Sequence, residues 1–377
     1  MNPRIVLATR LFPPEVGAAA FRLKALVTAL QSTGASVTVM TTVPPNGGRS
    51  ERGISRWPVL RDRGGNVRGY VQYLSFDLPL FFRLILSRAD VIVSEPPPTT
   101  GLIVAVSSWV RRRPYVYYAA DVWTDAVIAM GASAPVVSVM RWIEGVALRN
   151  ASHVLAISDG VADQLPQFGV SPDRVIVVGN GIDTEVFSPN GPRVLPGHPY
   201  FVYTGTMSEW QGAEVFIEAL KMLEDDTDVR LYFLGQGASE TKLRELAEEV
   251  VPGRVIFGGV KSPEETASWI RGAAAALVSI VPGKGYDFAK PTKIYAAAAC
   301  GTPVIYAGAG ECATMVADNH LGESVDYEPS LVAEAMRRFL AGQDGNSESR
   351  IDWVRRNASL RTAGERAAAA VLAAQPA

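Results

Sequence analysis

Cysteine is nearly absent from this chain: Cys300 and Cys312 are the only two in 377 residues. Two thiols make neither a disulfide framework nor a four-ligand zinc site. Histidine is almost as scarce, with His153, His198 and His320. These fall at a strand start, in a proline-rich stretch and in an expected surface loop. A histidine general base or a Ser/His/Asp triad therefore finds no support. No apolar run approaches the roughly 18 residues of a membrane span. Residues 1–9 lead directly into a strand pattern, so no cleavable leader is expected and the chain reads as cytoplasmic. In that setting the glycosylation-like triplets at Asn150 and Asn357 carry little weight. The net charge is −2, which leaves no overall basic footprint for nucleic acid.

What the chain does have is length, 48% hydrophobic residues and a regular alternation of apolar runs with helical periodicity. Its length suggests two domains, each able to bury its own core. Strand-like runs at 4–9, 36–41, 91–94, 115–118, 154–157 and 175–178 alternate with helical segments. The first of these carries Phe21, Leu23, Val27 and Leu30 on one face. Residues 188–199 hold four prolines and two glycines and form the best linker candidate. The pattern then restarts, with strands at 200–203, 229–234, 255–257, 274–280 and 304–306, and helices at 213–223, 240–250 and 292–300. From about 349 a long Ala- and Arg-rich helix is expected, packing back toward the first half. The expected division is 1–188, 189–348 and 349–377. The fold class is α/β, two Rossmann-like doubly wound domains. Such a pair binds its ligand in the cleft at the carboxyl ends of the strands. Glycine turns at Gly17, Gly181, Gly205 and Gly235 agree, since glycine lets backbone amides approach a phosphate closely.

Charge is uneven. Residues 1–188 carry 18 Lys+Arg against 14 Asp+Glu, and the remainder 18 against 24. Within 49–113 the count is 11 to 5. Residues 66–87 form an aromatic and aliphatic stretch, from Asn66 onward, broken by Arg68 and Arg83. It has two open readings. It packs beneath the first sheet, or it docks on an anionic membrane together with Arg49, Arg52, Arg56, Arg61 and Arg63.

Several motifs carry a family resemblance. Phe12-Pro13-Pro14-Glu15-Val16-Gly17 with Arg22 resembles the amino-terminal loop of the family 4 retaining glycosyltransferases. Val178-Gly179-Asn180-Gly181-Ile182-Asp183, with Phe187 and Pro189, is similar to the stretch before that family's interdomain linker. Tyr203-Thr204-Gly205, Gln211-Gly212, Leu234-Gly235-Gln236-Gly237 and Ala299-Cys300-Gly301-Thr302-Pro303-Val304 resemble its second-domain motifs, in the family's order. The resemblance implies a GT-B fold, two domains facing across a cleft. It also implies transfer of a sugar from a nucleotide-sugar donor to a hydroxyl acceptor with retention of configuration and without metal or other cofactor. The first domain would bind the acceptor, through Arg22 and Asp125. The second would bind the donor, through Gly205, Thr206, Gln211, Gly212, Gly235, Lys293 and Glu311. Asp121 and Gly17 would serve the reacting centre.

The departures from the family are specific. Its Arg and Lys after the second-domain glycine fall at Thr206 and Gln211 here. Its two glutamates fall at Phe288 and Ala296, neither of which accepts a hydrogen bond from a hydroxyl. Lys290-Pro291-Thr292-Lys293-Ile294-Tyr295 is instead similar to a subgroup that extends lipid-linked glycans, in which Lys293 would meet the pyrophosphate. Lys290 and Lys284 share that loop and could substitute. Glu311, beyond Gly308-Ala309-Gly310, would offer a carboxylate in place of the missing one. Asp121-Val122-Trp123-Thr124-Asp125 resembles a turn of the same subgroup; the plainer reading is a helix N-cap with Trp123 in the core. Ser158-Asp159 resembles a strand-end pair of the family and equally suits an N-cap. Asp226-Thr227-Asp228 has metal-pair spacing but lies at the end opposite the cleft, where a solvated acidic turn is expected. The acceptor would be a glycan, a lipid-linked glycan or a small molecule, with peripheral contact at the inner face of a membrane. Two other readings stand beside this one: a silent homologue that binds nucleotide or a partner transferase, and a sugar-nucleotide epimerase on the same fold.

Overall fold

The computed structural model describes residues 2–374 apart from positions 16, 46, 48–50, 63, 64, 66, 68, 130, 224–227, 287, 288 and 343. Val16, Arg49, Arg63, Asn66, Arg68, Asp226, Thr227 and Phe288, named above, lie outside the described residues. The chain forms two compact units, Met1–Asn180 with Leu360–Ala377, and Gly181–Ser359.

The first unit runs β1 (Arg4–Ala8), α1 (Ala18–Ser32), β2 (Ser36–Thr42), β3 (Ile54–Trp57), α2 (Tyr70–Leu86), β4 (Val91–Ser94), α3 (Pro98–Arg111), β5 (Tyr115–Ala119), α4 (Trp123–Ala129), α5 (Ala134–Arg149), β6 (His153–Ala156), α6 (Asp159–Ala162) and β7 (Val175–Val177). Its parallel sheet has the order β3-β2-β1-β4-β5-β6-β7. The second unit runs β8 (Tyr200–Thr204), α7 (Glu214–Lys221), β9 (Arg230–Leu234), α8 (Glu240–Val250), β10 (Val255–Phe257), α9 (Pro263–Gly272), β11 (Ala275–Ser279), α10 (Thr292–Ala299), β12 (Val304–Ala307), α11 (Glu311–Asp318), β13 (Gly322–Val325), α12 (Pro329–Leu340) and α13 (Ser347–Asn357). Its order is β10-β9-β8-β11-β12-β13, again parallel. α14 (Leu360–Ala373) returns to the first unit.

Both sheets are doubly wound, with the strand order reversing at β1/β4 in one and at β8/β11 in the other. The central strands read as continuous apolar runs because helices cover both faces. All of β5 and all of β8 are buried. Two strands escape the sequence reading, and both are edges. β3 alternates half-buried with exposed residues. β13 begins at Gly322, where a Cβ would stand 2.0 Å from the Val304 carbonyl oxygen, so close pairing and not propensity makes the strand.

The boundaries differ from 188, 348 and 349. The chain crosses between units at Asn180–Gly181 and again at Ser359–Leu360. The proline-rich segment is strapped onto the second unit: Arg271 donates to the Ser188 and Pro192 carbonyls at 3.0 and 2.8 Å, and Val194 N–H to Ser268 at 3.0 Å. The expected single terminal helix is two. The first, α13, belongs to the second unit, where buried Arg350 donates to the Gly301 carbonyl at 2.8 Å and pairs with Asp344. Only α14 packs on α1, through small residues: Ala363, Gly364, Ala367 and Ala368 are buried, and a Cβ on Gly364 would meet the Ala25 backbone at 2.8 Å. Gly364→Leu should therefore lower the stability of the first unit by about 1–3 kcal/mol through overpacking. Denaturant unfolding compared with the exposed control Glu365→Ala checks this.

Candidate active site

In the first unit the polar residues gather just past the carboxyl ends of β1, β4 and β5, around the β1/β4 switch point. Thr9 Oγ1 donates to Glu95 Oε1 at 2.5 Å and accepts from Leu11 N–H at 3.1 Å. Arg22, projected from α1, is buried, with Nη2 3.8 Å from Glu95 Oε2 and its guanidinium 5.1 Å from the Tyr118 ring centre. Burial raises the Glu95 pKa, against the opposing pull of Arg22 and the Thr9 hydroxyl. It also pushes the Tyr118 hydroxyl up to about 12. The Arg22 Nε and the Tyr118 hydroxyl are buried without a hydrogen-bond partner among the described residues. Polar atoms left so are costly and point to a ligand or water.

Asp121 ends the loop after β5. Its surface is open, yet protein lies close enough around it that desolvation raises its pKa, with Arg22 pulling the other way. It is not the helix cap. The α4 amides of Trp123 and Thr124 donate instead to buried Glu144 of α5, at 2.7 and 2.8 Å, while the Trp123 side chain is hydrogen-bonded to the Asp121 carboxylate. Trp123 is half-buried against Tyr73 (centroids 6.3 Å apart) and not a core residue. Asp125 is exposed on α4 and joins none of these contacts among the described residues. Gly17 precedes α1 in an extended conformation, and a Cβ there would come 2.9 Å from Leu11 Cδ2. Ser158 is the N-cap of α6, its Oγ accepting from Val161 N–H at 3.3 Å.

In the second unit the loops after β8 and β9 lock together. A Cβ on Gly235 would stand 1.9 Å from the Gly205 carbonyl oxygen, and one on Gly237 2.2 Å from that of Met207. Gly205 N–H donates to the Leu234 carbonyl at 2.8 Å, so this amide is committed to the protein. Gln211 does not reach outward as a donor contact would. It is buried, its side-chain oxygen accepting from the Tyr203 hydroxyl at 3.0 Å and closing a capping box with Ser208. Gly212 is equally internal, with φ 58° and Tyr327 Oη 2.3 Å from any Cβ. Together they hold the loop whose tip exposes Gly205 and Thr206.

Lys293, in the first turn of α10, reaches that tip. Its ammonium donates to the Thr206 carbonyl at 3.3 Å and lies 3.8 Å from the Tyr203 ring centre. The residue is half-buried and its ammonium enclosed, with no paired carboxylate among the described residues; burial pushes its pKa down to about 7. A cation at a helix amino terminus without a carboxylate among the described residues suits an anion. Lys290 is instead paired with Glu311, the first residue of α11, at 3.1 Å. Ala296 is buried in the core. Among the described residues no group of three or more His, Cys, Asp and Glu is arranged to hold a metal.

Glu95 is the residue that sequence reasoning missed. The available signal was an acid immediately after a four-residue apolar strand at the switch point.

The division into two doubly wound units is repeated in the likeness of the chain to known proteins. Residues 17–181 match the glycosyl transferase 4-like domain and residues 198–342 the glycosyl transferases group 1. The two matches fall one on each unit. A D-inositol 3-phosphate glycosyltransferase of Xylanimonas cellulosilytica is 30% identical over 249 residues, 61% of this chain and 57% of that protein. Alpha-maltose-1-phosphate synthase of Mycolicibacterium smegmatis is 27% identical over 375 aligned positions, 90% and 91% of the two chains. The chain spans about half the length of the inositol-phosphate relatives it matches. In fold it is similar to HepE of Anabaena in complex with UDP-glucose, with a TM-score of 0.68, 17% identity and 98% and 99% coverage. It is also similar to WaaG, a glycosyltransferase involved in lipopolysaccharide biosynthesis, with a TM-score of 0.67, 16% identity and 97% and 98% coverage.

The depressed Lys293 has a measurable consequence. A bound anion holds its proton, so above pH 7 binding must take a proton up, and affinity for sulfate, whose own charge is constant, should fall by up to tenfold per pH unit. Calorimetry at pH 6.5 to 9 reads this slope, and Lys293→Met should abolish it. A flat profile in the unsubstituted protein would refute the assignment.

Proposed function

We propose that this chain is a nucleotide-sugar-dependent glycosyltransferase acting on a hydroxyl acceptor, with retention of configuration and without metal. The observation that carries the reading is the Lys293 ammonium at the Gly205–Thr206 tip, beside the amino terminus of α10 and facing no carboxylate among the described residues. That arrangement suits the diphosphate of a donor: a positive helix end, a point charge and a loop free of bulky side chains. In this reading Lys293 serves where the family's Arg and Lys stand, since Thr206 presents no charge and Gln211 is turned inward. Glu311, held by Lys290, is the carboxylate for a sugar or ribose hydroxyl in the absence of one at Ala296.

The first unit is assigned the acceptor. Asp121, with its raised pKa, accepts a hydrogen bond from an acceptor hydroxyl and orients it, while Arg22 offers its buried, unpartnered Nε. Retaining transfer of this kind needs no dedicated base. The departing diphosphate oxygen takes the proton of the incoming hydroxyl, and the protein positions the two and stabilises the charge that develops on phosphate. Oriented donors of this type contribute roughly 3–4 kcal/mol each. The acceptor is proposed to be a glycan, lipid-linked glycan or small phosphorylated polyol, a range consistent with relatives named for inositol phosphate and maltose phosphate. Placement in the cytoplasm, peripheral to a membrane, belongs to the same proposal.

The missing carboxylate at buried Ala296 favours one rival, a silent homologue that binds nucleotide without transfer. Release of nucleoside diphosphate from any sugar nucleotide by the purified protein would exclude it. A thermal-shift panel of nucleoside diphosphates identifies the donor base. On the nucleotide so found, Lys293→Ala should weaken binding at least tenfold and Lys284→Ala less than twofold. Equal small effects would mean that the diphosphate lies elsewhere.

A further inference from the structure

Helix α2 is inverted relative to an ordinary surface helix. Its charged residues turn inward. Asp77 is buried and accepts from Thr100 Oγ1 at 2.6 Å, and Arg83 folds back to donate to the Ser55 carbonyl at 2.7 Å. The positions it gives to solvent are Tyr70, Val71, Leu74, Leu78, Phe82 and Leu86, each 53–82% exposed. Phe76, Leu80 and Leu84 fill the core beneath. The stretch therefore neither simply packs under the sheet nor stands free: it is apolar on both faces. A helix on a globular core ordinarily reserves its outer face for polar groups.

The neighbouring α3 repeats the inversion. Thr100, Ser107 and Ser108 are buried, whereas Val106, Trp109 and Val110 are exposed, Trp109 by 80%. It packs between α2 and α5, and α5 adds exposed Val136, Val139 and Trp142. Exposed charges on the three helices are Arg111, Arg141 and Arg149, all basic, since Asp77 and Glu144 are buried. At the carboxyl ends of α2 and α3, Arg4, Arg88, Arg111 and Arg113 line an open pocket of about 310 Å³. Arg4 is paired with Asp90 at 2.6 Å, and Arg113 caps α2 through the Ser87 Oγ at 3.0 Å. Arg88 and Arg111 are exposed there, close in sequence to Leu86, Trp109 and Val110.

We propose that the outer face of α2, α3 and α5 docks on an anionic phospholipid surface. Leu74, Leu78, Phe82, Leu86 and Trp109 enter the interfacial layer, and Arg88 and Arg111 take lipid phosphate. Charge decides the occupant. A second copy of this chain would set arginine against arginine across an apolar face, whereas an anionic bilayer matches both features. Among the described residues no helix is long and apolar enough to cross a membrane, so the contact is interfacial. Of the five arginines the sequence suggested, Arg49 and Arg63 lie outside the described residues and Arg52 is exposed, while the other two are engaged within the unit. Arg56 donates to the Pro13 carbonyl at 2.7 Å and Arg61 to Glu15 at 2.8 Å, so both are internal struts. The proposal is independent of sugar transfer, and its test reads no activity.

The test is sedimentation with vesicles of phosphatidylcholine carrying increasing phosphatidylglycerol, at low and high salt. Binding should grow with the anionic lipid and fall with salt. Arg88→Gln with Arg111→Gln should weaken it about 20- to 30-fold. Leu86→Ser with Trp109→Ser should weaken it at least tenfold while the melting temperature holds, because all four side chains are exposed. Three results would overturn the proposal: unsubstituted protein left in the supernatant with pure phosphatidylglycerol at low salt, variants that bind as well as it does, or a dimer by light scattering that Leu86→Ser with Trp109→Ser disperses.

Discussion

The close approach of two backbones, at Gly205 and Gly235, is the constraint on which the second unit's site depends. With 1.9 Å between a would-be Cβ on Gly235 and the Gly205 oxygen, no side chain fits between the loops that follow β8 and β9. Their contact lets Gly205 N–H bond to Leu234 and Met207 N–H to Gln236, at 2.8 and 3.1 Å. This fixes the Gly205–Thr206 tip without a charged residue. The tip in turn gives Lys293 a carbonyl and an aromatic face to rest on, in surroundings that weaken its hold on a proton. In the proposed role an anion at this tip would restore the proton that burial has made labile.

The first unit solves a different problem, that of keeping carboxylates available at the ends of apolar strands. Glu144 illustrates how. By capping α4 from the neighbouring helix α5, it satisfies the Trp123 and Thr124 amides that would otherwise recruit Asp121. Glu95 is held more tightly, by Thr9 and Arg22, within a pocket that raises its pKa. Two acids after adjacent strands thus have distinct surroundings: Glu95 is enclosed and bonded to Thr9, whereas Asp121 has an open surface and meets the Trp123 side chain. Such divergence between neighbouring acids is a common sign of separate roles.

The same unit also turns chemistry outward. Burying Asp77 and Thr100 beneath α2 and α3 while exposing leucine and tryptophan costs stability on both counts unless something covers the outer face. The patterning of α2 and α3 departs from that of an ordinary surface helix, which a sequence shaped by folding alone would reverse.

Much of the architecture was legible in the sequence alone. The apolar runs of β1, β4, β5, β8 and β11 mark buried parallel strands, and the glycines at their ends mark the turns, because close packing leaves few residue types that fit. The places of Lys293 at a helix start and of Asp121 after a strand were legible as well. Other features depended on the folded chain. Gln211 has the same spacing whether it faces a ligand or Tyr203, and only the packed loop shows it turned inward. Glu95 gained significance from the adjacency of β1 and β4, whose residues are 86 positions apart at the Thr9–Glu95 contact. The two-helix ending was hidden because charged α13 and Ala-rich α14 both read as helix with only Ala358 and Ser359 between them, and at the break Ser359 bridges to Ile182. Local sequence specifies an element and its buried face; which side chains meet, and which are left without a partner, is decided by contacts between residues far apart in the chain.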